Sequence, residues 1–150
     1  MSFTKVSSGK KINFSMIEYI LLFRQEVLKV EDSSDFLSNL GYYALLMPGN
    51  IALQKDEYEN LKQKNLHKIF EFSPVEYSLY YDKMNVGCDF GLNVNNILSY
   101  EIAPYPTHDK FANVIHVRMI GDTYFLVPME KYEELEKLLS VNGLINDFIS

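Results

Sequence analysis

The stretch MIGDTYFLVPMEKYEELEKLL, Met119 to Leu139, decides the fold class. Thr123 to Val127 is rich in β-branched and aromatic residues, the types that pack well on a pleated sheet. Gly121-Asp122 separates it from another apolar run, Val114 to Ile120. Glycine at the first position of a two-residue turn suits a type I′ or II′ hairpin. Pro128 fits the first turn of a helix, and Tyr132, Leu135, Leu138 and Leu139 recur at helical spacing as one apolar face. The reading is a hairpin followed by a helix. A looser version stands earlier, in MPGNIALQKDEYENL, Met47 to Leu61. There Tyr42 to Met47 is a strand, and Pro48-Gly49 suits the centre of a type II turn. Ile51 to Leu53 returns as a strand and Asp56 to Lys64 is a helix. Met47, Gly49 and Asn50 correspond to Met119, Gly121 and Asp122, and Tyr58, Glu59 and Leu61 to Tyr132, Glu133 and Leu135. The match needs a two-residue indel. Internal duplication and convergence on the same composition both explain it. Either way, hairpin-then-helix implies an α+β fold, with helices packed on an antiparallel sheet.

Working outward, Ser15 and Glu18 have the spacing of a capping box. Met16, Ile20, Phe23, Val27 and Val30 follow at i, i+4, i+7, so the sequence predicts an N-terminal helix with a broad apolar face. Residues 1–13 read as a polar tail or an edge hairpin. Glu31 to Gly41 reads as a loop and one short helical piece. From His67 to Val127 the apolar period falls to two: Phe70 and Phe72 share a face, as do Tyr77, Leu79 and Tyr81. Cys88, Phe90, Leu92 and Val94 share another, and Leu98, Tyr100 and Ile102 another still. Parity predicts a three-residue loop, Val94 to Asn96, pairing Leu92 with Leu98 and Phe90 with Tyr100, with Asn96 at a bulge. Pro104 to Lys110, PYPTHDK, is the clearest loop.

The totals exclude several classes. The chain has 150 residues, the size of one domain. Net charge is −6, from 20 acids against 14 bases, which lacks the basic stripe a nucleic-acid binder uses to displace counterions. Lys62, Lys64, His67 and Lys68 read as a solvated helix end. The apolar run MIEYILLF is far shorter than the roughly 20 residues of a membrane span. No leader pattern opens the sequence, and the single cysteine, Cys88, forms no metal or redox motif, so a cytoplasmic protein is expected. Cys88 reads as a small buried hydrophobe. Phosphate-binding glycine loops, HExxH and GxSxG are absent. No cofactor and no metal are expected.

Two surfaces remain as candidates. The chain carries 11 tyrosines, a residue type enriched in interface hot spots. A non-catalytic domain that docks a protein partner would use Tyr77, Tyr80, Tyr81, Tyr105, His108 and Asp109. Acidic clusters on the helices would steer a basic partner. Inhibitors, immunity factors and adaptors are the matching class. The alternative is a small-molecule-binding or hydrolytic domain built on the 104–118 loop and strand. It would use His108, His116 and Arg118, with His116 on the face shared with Arg118, Phe125 and Val127. A homodimer through the wide apolar face of the first helix is a third arrangement.

Overall fold

A computed structural model of the chain describes residues 3–23, 42–75, 88–106 and 111–145. Its centre is a five-stranded antiparallel sheet of β3 (Tyr19–Phe23), β4 (Ala44–Met47), β5 (Ile51–Leu53), β6 (Ile69–Phe72) and β7 (Cys88–Asn93), in the order β5-β4-β3-β7-β6. One face is covered by α1 (Lys55–Lys64) and by a small hairpin of β1 (Thr4–Lys5) and β2 (Lys11–Ile12). The other is covered by a three-stranded antiparallel sheet and α2 (Tyr132–Val141). That second sheet runs β10-β9-β8, from β8 (Ile97–Pro106), β9 (Phe111–Met119) and β10 (Tyr124–Pro128). The protein is therefore an α+β fold of antiparallel sheets and helices, with apolar packing on both faces of the central sheet.

That burial on two sides corrects the first predicted helix. Phe14–Met16 forms one 3-10 turn, and Tyr19–Phe23 is a central strand. Ile20 and Leu22 face the α1 core, while Tyr19 and Leu21 face the other. A strand covered on both faces is apolar at every position, so its run carries no period of two and reads as easily as a helix. Ser15 and Glu18 cap nothing: Ser15 Oγ donates to Asn13 Oδ1 at 2.6 Å, and the Glu18 carboxylate reaches across the fold to another loop. Of the apolar face expected for that helix, Ile20 and Phe23 are buried in the molecule, Met16 is exposed, and Val27 and Val30 lie outside the described residues. The rest of that helix, the loop after it and the strand around Tyr77 to Tyr81 lie outside the described residues.

The two hairpin–helix units do form, β4–β5–α1 and β9–β10–α2, and the turn of the second differs from expectation. In the first, Leu46 pairs with Ile51 around Pro48-Gly49, the Met47-Pro48 peptide is cis, and Gly49 and Asn50 follow with φ of 104° and 53°. In the second hairpin Tyr124 pairs with Arg118, and the Met119 amide donates to the Thr123 carbonyl at 2.9 Å. The loop is thus the three residues Ile120 to Asp122, with Asp122 at φ 69°. The extra residue reverses the predicted facing of one strand against the other. Val117, Met119, Phe125 and Val127 all turn into the core, and His116 and Arg118 turn out. The Gly121 amide donates to Glu18 Oε1 at 2.9 Å, and a Cβ at this position would sit 2.5 Å from Glu18 Oε2, so a larger residue would displace that carboxylate.

The predicted β7–β8 hairpin is replaced by a change of sheet. β7 lies between β3 and β6, and β8 pairs with β9. Val94–Asn96 is a 3-10 turn that carries the chain from one sheet to the other. Buried Asn93 anchors it, donating from Nδ2 to the carbonyls of Phe14 at 3.0 Å and Ile17 at 2.9 Å and accepting the Asn95 amide at 3.1 Å. The bulge falls at Leu98, between Ile97 and Ser99, and not at Asn96. Pro104 to Pro106, read as loop, belongs to β8, which is tolerable because β8 is an edge strand among the described residues. At the other end α2 stops where expected. Gly143 adopts φ 68°, its amide bonds to Ser140 and that of Leu144 to Leu139, the paired bonds of a Schellman cap.

Candidate functional site

The outward face of the β8–β10 sheet gathers most of the described polar and aromatic candidates. Register places them. Arg118 stands between Ser99 on β8 and Tyr124 on β10, and His116 stands between Glu101 and Leu126. Residues two apart on β9 share a face, so Arg118 and His116 are neighbours along the strand. The Tyr124 hydroxyl is hydrogen-bonded to His116 Nδ1 along the diagonal of the ladder. Its ring centroid lies 5.6 Å from that of His116, and the Tyr105 ring lies 5.9 Å away. Two tyrosines thus bracket the imidazole. Its Nε2 is buried and, among the described residues, meets no hydrogen-bond partner.

Ser99, Tyr100, Glu101, His116, Arg118 and Tyr124 line a shallow depression of 260 Å³. Partial burial raises the Tyr124 phenol above its ordinary pKa, and the Glu101 carboxylate adds to this while Arg118 opposes it. The phenol therefore stays protonated and remains a hydrogen-bond donor at neutral pH. On the inner side of the same strand, the Tyr100 hydroxyl donates to Glu136 Oε2 at 2.5 Å, tying β8 to α2. Burial and that carboxylate push Tyr100 up as well.

Of the candidates read from the sequence, Tyr105, His116 and Arg118 come together here. Phe125 and Val127 do not share their face: both point into the core. Tyr77, Tyr80, Tyr81, His108 and Asp109 lie outside the described residues. Sequence reasoning missed Ser99, Glu101 and Tyr124. A three-residue hairpin loop would have revealed Tyr124, since that register sets it directly across from Arg118. As the ring stands, Nδ1 of His116 is hydrogen-bonded to Tyr124 and Nε2 is buried. Among the described residues no three His, Cys, Asp or Glu side chains converge to hold a metal, and no helix is long and apolar enough to cross a membrane.

Set against known proteins, the chain matches no family model, no curated protein and no solved structure. By its geometry the chain is an α+β domain presenting one aromatic, mixed-charge sheet face.

Proposed function

We propose that this protein is a non-catalytic docking domain. It binds a protein partner in the cytoplasm, as inhibitors, immunity factors and adaptors do. The observation that carries this reading is the Tyr105–His116–Tyr124 bracket on a sheet face turned away from the core. Tyrosine offers a large, rigid contact area with little rotamer freedom to lose. Glu101 supplies charge beside it, and the net charge of −6 favours encounter with a basic surface.

The test is quantitative capture from lysate of the source organism, comparing the native chain with a Tyr105→Ala, Tyr124→Ala double variant. The proposal expects one protein in stoichiometric yield, weakened by salt, and strongly reduced recovery by the variant. Equal recovery by both would move the docking surface elsewhere. A second reading, a small-anion site, is favoured by Arg118 and Ser99 lining the depression. It expects a small molecule to travel with the purified protein and to be lost in Arg118→Ala.

A further inference from the structure

β8 offers an edge as well as a face. Among the described residues it pairs on one side only, with β9. Pro104 and Pro106 occupy ladder positions opposite Asn113 and Phe111. Proline has no N–H to give to β9, so these positions turn their nitrogens toward the open edge. Alternation along an antiparallel ladder then turns the N–H and C=O of Tyr100 and Ile102 the same way. At the other end, the Ile120 amide donates to the Asn96 carbonyl at 3.0 Å. That bond makes Ile97–Met119 a non-hydrogen-bonded pair and turns the Ile97 backbone groups outward too.

Beside this edge runs α2, held by the Tyr100–Glu136 hydrogen bond. Between the strand and the end of the helix lies a groove of 370 Å³, mainly apolar with Ile97, Leu98, Leu139 and Leu144 in its lining, and with Asn95 and Ser99 also present. Leu98 is 55% exposed and Ile102, on the same edge, 43%. The outward side of the strand carries Glu101. An open edge, an apolar groove beneath it and a carboxylate above it are the three parts of a strand-addition site.

We infer that the β8 edge takes an extended segment of the partner as an additional strand, with apolar side chains alternating with lysine or arginine. The inference rests on the docking reading and specifies its mode and chemistry. The apolar residues enter the groove, and the basic ones lie beside Glu101, where opposite charges on neighbouring strands attract. Main-chain bonds to Ile97, Tyr100 and Ile102 supply affinity. Pro104 and Pro106 close the site at one end. Prolines on an edge also oppose pairing along the whole strand, which disfavours a second copy of this chain as the occupant.

The test uses a short blocked peptide of alternating valine and lysine, titrated into the intact chain and followed by amide NMR. Shifts and slowed exchange are expected at Tyr100 and Ile102. The same peptide N-methylated on alternate amides should bind at least about ten-fold more weakly. Ile102→Pro removes an outward N–H without touching the β9 ladder, and Glu101→Lys changes only charge. Each should weaken the peptide, and Glu101→Lys should instead favour a valine–glutamate version. Equal binding of the N-methylated peptide, or no response at β8, overturns the inference. Whole-partner capture separates the two claims. If Ile102→Pro captures normally while the Tyr105, Tyr124 double variant does not, strand addition falls and face docking stands. If neither variant changes capture, both fall.

Discussion

Replacing Asn93 with alanine tests the switch between sheets, because one buried side chain holds three backbone groups there. Asn93 is 1% exposed. Alanine removes two donated bonds, to Phe14 and Ile17, and one accepted from Asn95. The carbonyls are not left bare. Phe14 still accepts the Ile17 amide at 3.0 Å, and Ile17 still accepts Asn96 Nδ2 at 2.7 Å. The loss therefore lies nearer the net worth of three hydrogen bonds than the cost of stranded polar groups, about 2–3 kcal/mol. For a chain of this size that lowers Tm by about 4–12 °C. Asn96→Ala alone should cost about 1 kcal/mol. The double variant strips the Ile17 carbonyl of both side-chain donors, so its cost should exceed the sum by about 1 kcal/mol. Urea unfolding of the four chains of this cycle measures the coupling. A loss below about 0.5 kcal/mol for Asn93→Ala, or strict additivity, would refute the reasoning.

Other outcomes follow from single contacts. Gly91→Ala should destabilise by about 1–3 kcal/mol, because a Cβ would meet Ile69 Cγ2 at 3.0 Å in the middle of the central sheet; equilibrium unfolding reads this. Val117→Lys should unfold the protein while His116→Lys costs about 1 kcal/mol or less, since only the first faces the core; the reverse order would restore the two-residue hairpin register. Tyr58 is buried, and its hydroxyl donates to Glu71 at 2.5 Å. Burial first, and Glu71 second, hold its pKa far above the ordinary value. Its contribution is thus present below about pH 10 and lost as the pH rises further, and Tyr58→Phe should flatten that alkaline limb in a thermal-melt series. Burial pushes Glu57 up, but the Gln54 amide, the Ser8 hydroxyl and Lys10 outweigh it and hold the carboxyl below its usual range. Its stabilisation is present above about pH 4 and lost as the pH falls through the depressed value, so Ser8→Ala should move acid unfolding to higher pH.

The residues that were legible are those whose environment is one-sided. α2 shows its apolar stripe because its other face is solvated, and its Schellman stop at Asn142–Gly143 is local chemistry. β3 was illegible for the opposite reason: Tyr19 to Phe23 are covered on both faces, so periodicity vanishes. The partners of β7 are distant in sequence, and the nearest strand, β8, belongs to another sheet. Nothing local announces that Asn93 turns back to hold Phe14 and Ile17. At the candidate site, Tyr105, His116 and Arg118 were visible as residue types. His116 and Arg118 share a face by strand alternation alone, but Tyr124 joins them through a single loop residue, Ile120, and Glu101 through the β8–β9 register.

Amide hydrogen exchange of the protein alone and with its captured partner tests the central claim most directly. The account predicts slowed exchange confined to β8, β9 and β10, strongest at Tyr100 and Ile102, with α1 and the β1–β2 hairpin unchanged. Protection confined to α1 and that hairpin, with the three-stranded sheet unaffected, would contradict it.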